Sequence, residues 1–175
     1  MINSEELLFV VDENNNPLKP LQRKFAHENG IWHRTTGIWV INNKGQILCQ
    51  KRSMRKDTNP GLWEPSFGGH LGPNETYDDN ALKELSEELG ITPQKEQLIL
   101  YKIIPTDLKN HKKFEALYAY KLDRDDTNFN VEKEEVDEIK WIDREDVKRV
   151  LIHEPNSHWI HYPWDKEGLQ WLTTL

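Results

Sequence analysis

The chain has a single cysteine, Cys49, among 175 residues, which excludes an internal disulfide framework and the small secreted scaffolds that rely on one. No apolar run approaches the roughly 18 residues that a membrane-crossing helix needs, so no membrane partner is expected. The opening Met1-Ile-Asn-Ser-Glu-Glu6 lacks the basic start and apolar stretch of a secretory signal. With the lone thiol, that makes a cytoplasmic location the expectation. Positive charge is also in deficit: 23 Lys and Arg against 30 Asp and Glu leave a formal net charge of -7. No Lys/Arg stripe offsets it, which argues against a nucleic-acid polymer as partner, because such binding draws on a basic face. Small phosphorylated molecules stay open, since a metal and a few local bases suffice to hold them.

What is present is a heavily charged chain, 36% hydrophobic and 30% charged, with a mean hydropathy of -0.83. Seven tryptophans supply core volume that the aliphatics do not. The length suits one domain with one core; there is no repeat, low-complexity stretch or linker, so 1–175 is expected to be a single domain. Residues 1–30 read as a strand/hairpin extension, with a strand at Leu7–Val11 and a turn at Asp12–Pro17. Strands are expected at Thr35–Ile41 and Gln46–Arg52, joined by the turn Asn42-Asn-Lys-Gly45. After a loop at 57–61, short strand Trp63–Phe67 follows. Further strands are expected at Leu98–Pro105, Phe114–Leu122 and Glu138–Ile142, with helices from Asp143 and over Asp165–Thr173. Strands interleaved with helices point to α/β, an α/β/α sandwich on a mixed sheet.

Residues 69–91 are the most informative stretch: Gly69-His-Leu-Gly-Pro-Asn-Glu75-Thr-Tyr-Asp-Asp-Asn-Ala-Leu-Lys83-Glu84-Leu-Ser-Glu87-Glu88-Leu-Gly90-Ile91. A glycine loop precedes a helix that Thr76 caps, with Asp79 three residues on, and that Gly90 ends. Leu82, Leu85 and Leu89 form the expected apolar side, with the acids facing away from it. Glu84, Glu87 and Glu88 share one helical face, where like charges cost a bare helix about 0.2–0.5 kcal/mol per pair. A bound cation reverses that sign, and hard oxygen ligands suit Mg²⁺, with Mn²⁺ as a substitute. A charge run alone is usually a solvated face; the glycine loop, Glu75 and the closing Gly90-Ile91 favour the metal.

These residues resemble the Nudix box, G-x5-E-x7-R-E-U-x-E-E-x-G-U with U aliphatic. Gly69, Glu75, Glu84, Leu85, Glu87, Glu88, Gly90 and Ile91 fall on their places, and Lys83 stands where the family has Arg. The resemblance implies the Nudix fold and a metal-dependent hydrolase of diphosphates. Glu84, Glu87 and Glu88 would be catalytic acids that hold Mg²⁺, with the Gly69 carbonyl as a further ligand. Glu75 would pair with Lys83 to brace the loop, more weakly than with a bidentate guanidinium.

The stretch from Gln50 through Pro60-Gly-Leu-Trp63 to Gly69-His70 resembles one branch of that family, isopentenyl-diphosphate isomerase and its hydrolase-like bacterial relatives. That likeness implies phosphate contacts from Arg52 and Lys56, in Lys51-Arg52-Ser-Met-Arg55-Lys56, and cover of the substrate by Trp164 in His161-Tyr-Pro-Trp164. Packing of the last helix is the other role open to Trp164. A second metal site in the isomerases implies ligands at His70 and Glu115, with His27 and His33 as approximate matches; Lys113 stands where Glu115's acidic companion would be. Glu135 and Glu138 are minor candidates for a base. Isomerase chemistry needs a cysteine just before the box Gly-His. Gly68 holds that place, Cys49 reads as a buried bystander, and the box acids are retained, so hydrolysis is expected. The substrate is expected to be a nucleoside diphosphate or another small diphosphate; a nucleotide-binding module that kept the fold without catalysis is the other alternative, which the intact box acids disfavour. The oligomeric state stays open between a monomer and a homodimer.

Overall fold

A computed structural model of the chain describes residues 6–56, 58–108 and 111–175, with Leu108 known in its backbone only. Met1–Glu5 and Asp57, on which the signal-peptide and loop expectations partly rest, lie outside the described residues. In chain order the elements are β1 (Leu7–Leu8), β2 (Leu21–Gln22), α1 (Arg23–Glu28), β3 (His33–Ile41), β4 (Gln46–Arg52), β5 (Trp63–Glu64), α2 (Tyr77–Leu89), β6 (Leu98–Leu108), β7 (His111–Lys121), β8 (Val136–Asp143), α3 (Arg144–His153) and α4 (Asp165–Leu172). The main sheet runs β5-β4-β3-β7-β6 with β8 on β4. β3 and β7 are parallel and the other pairs antiparallel, so the sheet is mixed.

The two central strands explain the layering. Along β3, Ile38 and Val40 face one way with Ala116, Tyr118 and Tyr120 of β7, against Ala81, Leu85 and Leu89 of α2. Trp39 and Ile41 face the other way with Leu117 and Ala119, against Val147 and Leu151 of α3 and Leu169 and Leu172 of α4. Both faces are buried, so the strands read as near-continuous apolar runs with little alternation. α4 approaches so closely that a Cβ on Gly168 would sit 2.4 Å from the Trp39 ring. Cys49 lies in this second layer, fully buried, and burial pushes its thiol pKa up.

Three expectations need correction. The N-terminal extension is not only strand and hairpin: it holds α1, where Ala26 is the only buried residue and Phe25 is exposed, so no apolar period marks it. On α2 the core position falls to Ala81 and not to Leu82, which is only half-buried. The third concerns Glu88, which is buried and does not face away from the protein. β6 and β8 extend past their expected ends, β7 starts earlier than expected at His111 and stops one residue short at Lys121, and β5 is shorter than Trp63–Phe67. The α2 caps do follow the sequence: the Asp79 N–H donates to Thr76 Oγ1 at 3.1 Å, and Gly90 takes φ 64°.

Candidate active site

β3 and β4 pair only at Val40–Leu48 and Ile41–Ile47 and then diverge. The segment 63–70 wedges into the split. Trp63 and Glu64 pair with β4, while Phe67 and His70 bridge to Ile38 and Thr35 of β3. A cleft of about 660 Å³ opens at this end of the sheet, lined by the wedge, the acids of α2 and the ends of β3, β4 and β7. Two glycines shape the wedge. Gly68 has φ +139°, and a Cβ there would lie 2.2 Å from the Thr36 carbonyl oxygen. At Gly69 a Cβ would lie 2.7 Å from the Glu84 carboxylate. The Gly69 carbonyl already accepts the Thr36 N–H at 2.9 Å, leaving one lone pair for a cation.

Glu84 and Glu88 turn into the cleft against this wedge. Glu88 accepts the Gly68 N–H at 3.2 Å, and burial, with Glu84 beside it, raises its pKa. Burial also pushes Glu84 up to about 7, against the pull of Lys83. Glu87 stays exposed at the rim. Glu75 and Lys83 meet at 2.9 Å, and Glu75 also accepts the Gly72 N–H at 2.8 Å. Burial works upward on Glu75, yet Lys83, Gly72 and Asn80 outweigh it and hold its pKa down.

Asn80, which the sequence reading passed over, ties loop, helix and sheet together. It accepts the Thr36 hydroxyl at 2.6 Å and donates to the His70 carbonyl and Glu75 at 3.0 Å, and to Glu84 at 3.3 Å. The available signal was an amide side chain one turn before Glu84 on the same helical face; its complete burial shows only in the fold.

At the far end, His27, His33 and His70 bring ligand atoms within 4.8 Å of one another, among the described residues the only such group of three. Among the described residues the box acids do not converge that closely. His27 and His70 approach through Nε2 at 3.2 Å. His33 Nδ1 lies 2.9 Å from the Ile31 carbonyl, which makes Nδ1 the protonated nitrogen and leaves the Nε2 lone pair for a ligand. Burial lowers the pKa of His33 to about 4 and that of His70 well below its ordinary value, so both are neutral donors at pH 7. Glu115 is not in the group; its Oε1 takes the Lys113 ammonium at 3.0 Å. Its Oε2, like Thr35 Oγ1 across the strand pair, is buried with no hydrogen-bond partner.

The opposite wall carries the cations. Arg52 donates to Glu64 Oε2 at 3.2 Å and from Nε to the Thr58 carbonyl at 3.2 Å. Lys56 pairs with Glu135 and Arg55 with Glu134. Glu138 pairs with Lys140 on β8 instead. Trp164 lines the cleft but is only 6% exposed, lies in the α3/α4 core cluster, and stacks on Tyr162 at 4.9 Å. The Lys113 ammonium sits 5.6 Å above both rings. Glu64, a second residue the sequence reading passed over, accepts the Tyr162 hydroxyl at 2.7 Å. A lone acid amid Leu-Trp and Pro-Ser-Phe was the available signal.

A mixed sheet between helical layers, with a glycine wedge delivered onto an acid-bearing helix, defines the class. The chain belongs to the NUDIX domain family, whose pattern matches residues 31–165. An uncharacterised Nudix hydrolase of Clostridium acetobutylicum is 32% identical over 84% of this chain and 74% of its own length. An isopentenyl-diphosphate Delta-isomerase of Photorhabdus laumondii is 27% identical over 95% and 94%. A Deinococcus radiodurans crystal structure superposes with a TM-score of 0.71 at 18% identity, covering 95% of this chain and 99% of that one, which speaks to the fold.

Proposed function

We propose that the protein is a divalent-metal-dependent hydrolase that cleaves the phosphoanhydride bond of a nucleoside diphosphate or a similarly small diphosphate. The observation that carries it is the burial of Glu88 and the near-burial of Glu84, 14% exposed, against the Gly68–Gly69 turn, inside a cleft whose other wall presents Arg52 and Lys56. Carboxylates held this far from water are costly unless a cation joins them, and the oxygen donors fit Mg²⁺ or Mn²⁺. Glu84 and Glu88, with Glu87 from the rim and the Gly69 carbonyl, would hold the ion. His70, with His27 and His33, and the unpartnered Glu115 Oε2 offer donors for a second. When bound, such ions neutralise phosphate oxygens and acidify coordinated water.

The protein's own groups do the rest. Arg52 and Lys56 receive the terminal phosphate through charge-assisted hydrogen bonds. The Asn80 and Glu75–Lys83 braces keep the glycine turn and the acids in fixed relation, so little reorganisation is needed on reaction. The Tyr162–Trp164 stack excludes water from one side.

Isomerisation of a prenyl diphosphate is disfavoured on geometry as well as on residue identity. At Gly68, φ +139° and the 2.2 Å approach of Thr36 O leave no room for any side chain, a thiol included.

The test is a panel of diphosphates incubated with Mg²⁺ or Mn²⁺, with released phosphate measured for the wild type, Glu84→Gln and Glu88→Gln. Turnover of at least one member, lost by about a thousandfold in either variant with the fold intact, is the expected outcome. Wild-type rates in both variants would sink the mechanism.

A further inference from the structure

Glu64 is out of place on a wall meant for phosphate. Its carboxylate repels the substrate, yet its side chain is only 11% exposed, and its oxygens take two close donors and, at 3.5 Å on Oε1, the Ser66 hydroxyl. Oε2 accepts Arg52 Nη1 at 3.2 Å, and Oε1 accepts the Tyr162 hydroxyl at 2.7 Å. Thr58 completes the frame on the other side of the guanidinium, through its carbonyl to Nε at 3.2 Å and its hydroxyl to Nη2 at 3.4 Å. Three of the five N–H donors of Arg52 are thereby engaged, one on each nitrogen, and each terminal nitrogen keeps one N–H for a ligand. The register supports this frame: Gln50 of β4 pairs with Glu64 of β5, so the acid rides on the strand beside the one that carries Arg52.

We infer that Glu64 is a positioning residue: it fixes the plane of the Arg52 guanidinium for bidentate capture of the diphosphate and ties that guanidinium to the Tyr162–Trp164 wall. This rests on the diphosphate reading of the cleft given above. A carboxylate that merely competed with phosphate for Arg52 would give the opposite sign on removal, because its loss would free the cation. A carboxylate that served only stability would leave ligand affinity alone.

The experiment is calorimetric binding of methylenediphosphonate, a diphosphate with an uncleavable bridge, in the presence of Mg²⁺. Steady-state kinetics on a diphosphate turned over in the panel accompany it. Glu64→Gln keeps the shape and removes the charge; it is expected to weaken binding and raise KM by about tenfold, with kcat changed by less than about twofold. Tyr162→Phe, which leaves the carboxylate in place but loosens one of its anchors, is expected to cost about threefold in the same direction. In an Arg52→Gln background, Glu64→Gln should change affinity by less than about twofold, because the group through which it acts is gone. Unchanged or tighter binding by Glu64→Gln overturns the inference, as does a tenfold loss that persists without Arg52. Wild-type protein that fails to bind the probe overturns the diphosphate reading itself and this inference with it, an outcome distinct from either of those.

Discussion

Adding one methyl group at Gly69 separates folding from chemistry in this protein. Gly69 does not have a positive φ, so alanine is permitted by the backbone. An ideal Cβ there would meet Cδ and both oxygens of Glu84 at 2.7 Å, against 3.4 Å for ordinary contact, so the carboxylate has to retreat by about 0.7 Å. The obstacle is the end of a flexible side chain, and a displaced rotamer costs only about 0.5–1.5 kcal/mol. A shift approaching 1 Å in a catalytic group costs up to about a hundredfold in rate. Gly69→Ala is therefore expected to unfold within a few degrees of the wild type while kcat/KM falls by about 10- to 100-fold and the Mg²⁺ requirement rises. Its neighbour gives the contrast. Gly68→Ala must leave φ +139° and would drive Cβ to 2.2 Å from a backbone oxygen, a destabilisation of about 3 kcal/mol or more. Thermal unfolding followed by circular dichroism, beside a Mg²⁺ titration of phosphate release, measures both. A Gly69→Ala enzyme with wild-type activity at every Mg²⁺ concentration would refute the placement of Glu84 as a working ligand.

Metal-free protein should be more stable near pH 5 than near pH 8. Burial raises Glu84 from 4.5 to about 7 and Asp165 from 3.8 to about 7, and raises Glu88 and Glu115 as well. The native state holds these protons longer than the unfolded chain, and their contribution falls as pH climbs from about 4 to 7. His33, lowered from 6.5 to about 4, and His70, also lowered, act in the opposite sense below about 6.5, and the four carboxyls outweigh the two imidazoles. Glu84→Gln should flatten part of that slope in denaturant titrations, and an identical slope would discount the burial of Glu84. Lys83→Arg restores a planar partner for Glu75, and a gain of up to about 1 kcal/mol is expected, since Lys83 and Glu75 are 39% and 25% exposed; a loss of stability would mean the site cannot seat a guanidinium. Trp164→Ala should cost about 3–5 kcal/mol because the ring belongs to the α3/α4 core. A loss under about 1 kcal/mol with a raised KM would instead make Trp164 a substrate cover.

The Nudix box was legible because its information is spacing along a helix and a loop, and spacing survives without tertiary knowledge. The acids, the cap at Thr76 and the stop at Gly90 all came from that source. The depth of Glu88 did not, because a helical wheel ranks faces by hydrophobicity and cannot see that a glycine turn will lie over one of them. Glu64 and Asn80 were missed for a related reason: their partners, Arg52, Tyr162 and Thr36, lie 12, 98 and 44 residues away in sequence. The split between β3 and β4 is likewise non-local, since it exists only once residues 63–70 occupy it. The gathering of His27, His33 and His70 was anticipated through the family likeness and not through spacing, and the fold brings the three together without Glu115, while the Lys113–Glu115 pair was foreshadowed by the lysine standing in an acid's place.

The ion pairs of the cleft divide by depth, and the division assigns different duties to its cations. Arg55–Glu134 is well exposed, at 65% and 57%, so water screens it and it holds with at most about 1 kcal/mol. A diphosphate can displace Glu134 at little cost. Arg52–Glu64 and Lys113–Glu115 are sequestered, at 19% and 11% and at 20% and 9%. Stripping either cation away would strand a buried carboxylate, at several kcal/mol. Those two pairs should therefore persist in the complex, with the ligand using N–H groups that the acids leave over, while Arg55 exchanges its acid for phosphate; Lys56–Glu135, at 18% and 34%, lies between the two classes. Because the deep cations stay neutralised, the cleft gathers less positive potential than its count of bases implies. An anion entering a chain of net charge -7 then needs a divalent ion to accompany it, which is why substrate affinity should collapse on chelation even where every base is intact.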